Sequence, residues 1–321
     1  MSRRPSVVFM GTPDFAVPSL RALVEAGFPI QAVITQPDRP RGRGHRLTPS
    51  PVKAAALELG LPVHQPERLA EPEVLEWLDR LAPEAVVVVA FGQKIPPRVL
   101  QLPPLGCINV HASLLPRHRG AAPIPRAIMA GDTESGITTM LMDEGWDTGP
   151  ILLQEAIPLG PDETAGSLHD RLAELGARLL VETLQRLQEG SLTPTPQDDR
   201  LATLAPKLRP EEQVLDWNRP AVALERHIRA LHPHPGAVTF HGDRRLIVER
   251  AAVVAPGEAG GSAEPGQVLE AVRHGRLLIQ TGDGVLEILE LRPAGKRTMT
   301  ARDYLNGFPT EPGERMGSNA P

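Results

Sequence analysis

The sequence predicts an α/β protein in two parts: a doubly wound parallel sheet, then a small antiparallel barrel. Three observations carry this. Short, continuous apolar runs such as residues 7–10 and 85–90 alternate with segments of helical periodicity through the first half, the pattern of a parallel sheet covered on both faces. Residues 190–206 are polar and proline-bearing without periodicity, as in a linker. Beyond them come five short strand-like runs separated by turn residues, the spacing of a small closed sheet.

Taken in order, residues 7–10 read as a buried strand, and Gly11-Thr12-Pro13-Asp14 turns into a helix with Val17, Leu20, Leu23 and Val24 on its apolar face. Residues 30–35 give a strand, 52–59 a helix, 62–64 a short strand, 71–81 a helix and 85–90 a fully buried strand. Residues 107–111 form the next strand and 123–130 a helix; 136–143 and 151–157 form an antiparallel pair, and 168–188 a long amphipathic helix. In the second part a helix at 222–231 precedes strands at 237–240, 245–254, 266–272, 277–281 and 285–291. The expectation is a Rossmann-like domain over residues 1–189, a linker over 190–207, an OB-like β-barrel over 208–309 and a disordered tail over 310–321.

With 321 residues, 41% hydrophobic and 23% charged, the chain has a globular composition and enough length to bury a core. Its longest apolar run, residues 85–91, falls far short of the roughly 20 residues that a membrane helix needs, and no signal-peptide core precedes the first strand. The single cysteine, Cys107, allows no internal disulfide and cannot alone build a cysteine metal site. A cytoplasmic protein is expected. A net charge of −5 offers no general attraction for phosphate, so a nucleic-acid partner would have to be met by local positive charge. The first strand-to-helix turn lacks the Gly-x-Gly-x-x-Gly spacing, which speaks against a dinucleotide-dependent dehydrogenase.

The chemistry is concentrated in Asn109-Val110-His111-Ala112-Ser113-Leu114-Leu115-Pro116-Arg117-His118-Arg119-Gly120 and, downstream, Asp143-Glu144-Gly145-Trp146-Asp147-Thr148-Gly149. Alternate residues of a strand share a face, so Asn109 and His111 project together with Cα atoms about 6.6 Å apart. Alone, such a pair is more often structural: an amide at a strand end and a satisfied histidine. Asp147 read alone is a turn residue bonded to nearby amides. Together, an amide, an imidazole and a carboxylate can hold a tetrahedral oxyanion and manage the proton of an attacking amine. Cys107 lies on the same face, but its Cα is roughly 13 Å from that of His111, too far for a thiol–imidazole pair.

The two segments resemble the signature of the 10-formyltetrahydrofolate-dependent formyltransferases, Asn-x-His-x-Ser-Leu-Leu-Pro later joined by an Asp-Thr-Gly aspartate. The resemblance implies catalytic roles for Asn109, His111 and Asp147, with no metal. It implies a folate slot formed by Ser113, Leu114, Leu115, Pro116, Phe91, Gly92 and Asp143. The loop over residues 36–47 carries four arginines and a histidine and, with Pro49-Ser50-Pro51-Val52-Lys53, resembles the tRNA-contacting insertion of the branch that formylates methionyl initiator tRNA. Read without the resemblance, it is a solvated charged loop. The resemblance implies tRNA contacts at Arg39, Arg41, Arg43 and Arg46, Arg43 first among them. It continues through Leu215-Asp216-Trp217, Ile228-Arg229-Ala230, Pro293-Ala294-Gly295-Lys296 and Leu305-Asn306-Gly307, which implies a tRNA-binding C-terminal barrel. Lys94 and His234 depart from the family pattern. The expected reaction is formyl transfer from 10-formyltetrahydrofolate to methionyl initiator tRNA by a monomer. The alternatives are a folate-dependent formyltransferase acting on a small amine and a noncatalytic RNA-binding protein on the same fold.

Overall fold

The computed structural model describes residues 3–41, 46–255, 263–271 and 275–317. They form two compact units, one of Met1–Pro123, Glu134–Pro158 and His169–Pro206, the other of Ile124–Thr133, Leu159–Leu168 and Lys207–Pro321.

In chain order the first part contains β1 (Val7–Gly11), α1 (Val17–Glu25), β2 (Ile30–Ile34), β3 (Arg39–Arg41), β4 (Arg46–Thr48), α2 (Pro51–Glu58), β5 (Val63–His64), α3 (Pro72–Leu81) and β6 (Ala85–Val89). Then follow α4 (Pro97–Leu100), β7 (Cys107–His111), α5 (Pro123–Ala130), β8 (Glu134–Leu141), β9 (Ile151–Pro158) and α6 (Ala165–Gln188). The sheet of the first unit has the order β5-β2-β1-β6-β7-β8-β9. Its first five strands are parallel, and the last two pairings, β7 with β8 and β8 with β9, are antiparallel. Every residue of β1, β6 and β7 is buried, which is why β1 and β6 read as unbroken apolar runs rather than alternating ones. From β1 the chain steps outward to β2 and β5, then returns to place β6 on the other side of β1. Strand order reverses there, and in such sheets ligands bind in the crevice outside the carboxyl ends of the strands. At that end the Thr35 and Ser50 hydroxyls are 2.7 Å apart, and Ser50 Oγ caps α2 by accepting from the Lys53 amide at 3.0 Å.

In the first unit two stretches differ from the sequence expectation. The basic loop is a small hairpin, with Arg39 opposite Thr48 and Arg41 opposite Arg46; an isolated two-stranded ribbon has no core face, so it leaves no alternating apolar pattern. Residues 190–206 are bonded into the first unit: Thr195 and Ile151 exchange backbone hydrogen bonds at 2.8 Å, the Arg119 amide donates to Thr203 O at 2.9 Å, and the Ala205 amide donates to Arg119 O. Hydrogen bonds, main-chain and through Gln197 and Thr203, hold this segment more than apolar burial does, so periodicity did not report it.

The second unit contains α7 (Ala221–Leu231), β10 (Ala237–His241), β11 (Arg244–Val253), β12 (Val268–Ala271), β13 (Leu277–Gln280), β14 (Val285–Pro293), β15 (Met299–Thr300), α8 (Ala301–Gly307) and β16 (Met316–Gly317). Its antiparallel sheet has the order β12-β13-β14-β11-β10-β16, with β15 on β14. Trp217, Leu224, Ile228, Leu246, Leu286 and Tyr304 pack in its core. Residues 310–317 are not the disordered tail expected. Met316 is buried in that core, β16 pairs with β10, the Val268 amide donates to Glu314 O at 2.8 Å, and the Met316 amide donates to Gly266 O at 2.7 Å. The polar composition suggested disorder, but one buried methionine and main-chain bonds at both sheet edges order the segment. Residues 318–321 lie outside the described residues. No helix among the described residues is long and apolar enough to cross a membrane.

Candidate active site

Strand alternation puts Asn109 and His111 on one face of β7, opposite Met140 and Thr138 of β8. Both are buried, with 9% and 6% of their surface exposed. No hydrogen bond joins the Asn109 carboxamide to another described residue, although buried amides are ordinarily partnered. His111 donates from Nε2 to the His118 carbonyl at 2.9 Å and turns Nδ1 toward Asp147 Oδ1 at 3.7 Å. Both ring nitrogens therefore face oxygen.

Asp147 is held in an uncommon backbone conformation, φ +54°. Such a conformation costs on the order of 1–3 kcal/mol and persists only where the surroundings over-determine it. Here they do. Asp147 Oδ2 accepts from the Gly120 amide at 2.8 Å, and Gln197 Nε2 donates to the carbonyls of Asp147 at 2.9 Å and Gly149 at 2.7 Å. Upstream, the Asp143 carboxylate accepts from the Gly145 amide at 3.0 Å and from Thr148 Oγ1 at 2.7 Å, closing the turn. Gly149 is required by contact: a Cβ there would lie 1.8 Å from Leu141 O.

The Ser113–Pro116 stretch is tied just as closely. Thr138 Oγ1 donates to Ser113 O at 2.7 Å and accepts from the Leu115 amide at 3.0 Å, while Gln154 Nε2 donates to Leu115 O at 2.9 Å and to Thr138 Oγ1 at 2.8 Å. Ser113 Oγ donates to Arg117 O at 2.6 Å. A buried, unpartnered amide beside a carboxylate-faced imidazole can stabilise negative charge developing on a carbonyl oxygen.

The chain matches the formyl transferase family over residues 4–184 and the formyl transferase C-terminal domain over residues 207–309. It belongs to the formyl transferase family. It is 52% identical over 310 residues to the methionyl-tRNA formyltransferase of Symbiobacterium thermophilum, covering 97% of this chain and 94% of that one. With the methionyl-tRNA formyltransferase of Halorhodospira halophila the identity is 54%, covering 96% and 98%. Among solved structures, an N-formyltransferase from Helicobacter canadensis with folinic acid and dTDP-3-aminofucose has a TM-score of 0.62 at 17% identity, covering 90% of this chain and 99% of that one. HypX from Aquifex aeolicus in complex with tetrahydrofolic acid also has a TM-score of 0.62, at 19% identity; the comparison covers 99% of this chain and about half, 51%, of HypX. At these identities the two structures attest the fold.

Other residues singled out in this formyl transferase are placed as follows. Phe91 buries its ring in the core with Val8, Met10 and Ile95, and its carbonyl accepts from Thr12 Oγ1 at 2.8 Å and Gln36 Nε2 at 3.3 Å. Gly92 follows at φ +87°. Cys107 is buried, donates to Val99 O at 3.3 Å, and has its thiol pushed up to about 12 by burial, so it supplies no thiolate near neutrality. Arg39 is exposed on β3. Arg43 and the side chains of Arg41 and Arg46 lie outside the described residues. The hairpin base is fixed at Asp38, which accepts from Lys53 Nζ at 2.7 Å and Gln65 Nε2 at 2.8 Å; these bonds hold its carboxyl below the usual carboxylate range.

Thr138, Gln154 and Gln197 were not legible as site residues. The first two face each other across β8 and β9, so polar residues at paired positions of a predicted antiparallel ribbon could have flagged them. Gln197 lies in an aperiodic segment and carried no such signal.

Proposed function

We propose that this formyl transferase moves the formyl group of 10-formyltetrahydrofolate onto the amino group of methionine esterified to initiator tRNA. The observation that carries the reading is identity above one half, over nearly the full length, with methionyl-tRNA formyltransferases. The products are formylmethionyl-tRNA and tetrahydrofolate. Acting on aminoacyl-tRNA, the protein would work in the cytoplasm.

In this reading the amine nitrogen attacks the formyl carbon, and the carbonyl electron pair moves onto oxygen. The Asn109 carboxamide donates to that oxyanion, and His111 adds positive charge and, once released from the His118 carbonyl, a second hydrogen bond. Asp147 holds His111 and takes up the proton that the attacking amine loses. On collapse the oxyanion pair re-forms the formyl C=O and the bond to the folate nitrogen breaks, that nitrogen leaving with the proton that Asp147 had taken up. Ser113, Leu114, Leu115, Pro116, Gly92, Asp143 and the backbone at Phe91 would line the folate slot, and Arg39, Arg41, Arg43 and Arg46 would meet tRNA phosphates.

The test is formyl transfer from 10-formyltetrahydrofolate to methionyl initiator tRNA, with methionyl elongator tRNA and free methionine as parallel acceptors. Transfer chiefly to the initiator is expected; folate turnover without tRNA modification would reassign the chain to small-amine formylation.

A further inference from the structure

Gln197 lies outside the signature, about fifty residues beyond Asp147, yet its carboxamide is saturated by contacts that converge on the aspartate. Nε2 donates to two main-chain carbonyls, Asp147 O at 2.9 Å and Gly149 O at 2.7 Å. Oε1 accepts from Arg119 Nε at 3.1 Å and Nη2 at 2.8 Å. A guanidinium only donates, so Arg119 fixes which end of the amide faces the Asp147 turn. Arg119 is itself pinned: its side chain is 9% exposed, its Nη2 also reaches Asp199 Oδ1 at 2.8 Å, and its main chain pairs with Thr203 and Ala205.

The next residue, Gly120, donates its amide to Asp147 Oδ2 at 2.8 Å. The aspartate is thus gripped at its carboxylate by the amide beside Arg119 and at its carbonyl by the glutamine that Arg119 orients. These contacts hold Asp147 at φ +54°, with Oδ1 facing His111. None of the three groups needs to touch a substrate to have this effect.

We infer that Gln197 is a positioning residue for the reaction, setting the orientation of Asp147 toward His111 through the Asp147 and Gly149 carbonyls, with Arg119 fixing its amide. The inference rests on the role of Asp147 in the proposed function. Catalytic groups displaced by about 1 Å can lose on the order of 10²-fold in rate, so a group acting only through main-chain carbonyls can still be felt in turnover.

The deciding substitution is Gln197→Glu. It keeps the volume and the contact with Arg119 but replaces the two N–H donors by an oxygen that repels the carbonyls. Single-turnover formyl transfer to methionyl initiator tRNA should fall by about 10- to 10²-fold, with KM for both substrates within about threefold of wild type. Gln197→Ala should do the same; if it does not fold, Gln197→Glu alone decides. In an Asp147→Asn background, Gln197→Glu should cost less than about twofold, because the group it positions is already disabled.

Wild-type rate in Gln197→Glu, or losses that multiply in the double variant, would overturn the inference while leaving the role of Asp147 intact. Full activity in Asp147→Asn alone would overturn both.

Discussion

The signature loops and the basic hairpin of the first unit are built by opposite means. Around Asp147 and Ser113–Pro116, the side chains of Thr138, Gln154 and Gln197 bond main-chain groups, and the Gly120 amide bonds the Asp147 carboxylate. The hairpin is tied at its base through Asp38, and beyond it Arg39 stands in solvent with Leu47 70% exposed. Transition-state stabilisation needs donors fixed in place before reaction, whereas phosphate contact needs charge within reach and tolerates slack. The difference teaches that the number of ties in each loop matches the precision that its proposed task would require.

The largest effect should come from the rigid side. Asn109→Ala removes the buried donor and should lower turnover by about 10²- to 10³-fold with little change in thermal stability; full activity would move the oxyanion site elsewhere. Next, Gly149→Ala sets a methyl group against Leu141 O and should cost roughly 1–3 kcal/mol of unfolding free energy together with most of the activity. Denaturant titration and the transfer assay measure the two, and a stable, active variant would show that the turn has slack after all.

On the hairpin side, Arg39→Ala should raise KM for the tRNA a few-fold, leave KM for the folate unchanged and reduce the salt slope of tRNA binding by about one. A change in folate KM instead would join the two regions functionally. The smallest effect concerns the tie itself. The folded Asp38 carboxyl stays ionised to lower pH than an unfolded one because Lys53 and Gln65 bond it. Its contribution is complete above the ordinary aspartate value near 3.9 and is lost as pH falls through the lowered value. Hydrogen exchange of the hairpin amides, corrected for intrinsic rates, should therefore quicken only in acid, and at neutral pH in Asp38→Asn. Unchanged protection in that variant would mean that strand pairing alone holds the ribbon.

The same contrast explains what the sequence could disclose. β1 and β6 were legible because burial on both faces writes an unbroken apolar run, and β7 because it carried Asn109 and His111 at the spacing that shares a face. The hairpin and the 190–206 segment were not, since main-chain pairing without a core face imposes no periodicity. For the same reason the aspartate could be found while the glutamine holding it could not: the Asp147–Gln197 contact is made through a carbonyl, which every residue type possesses.

The C-terminal segment bonds to two edges at once, to β12 through Val268 and to Gly266 two residues before it, and to β10 through β16. Unpaired edge strands are templates on which one chain can add to another. Residues 313–317 cover both of these edges, and a chain ending at residue 309 is expected to keep its helices and to scatter more light in solution than the full chain.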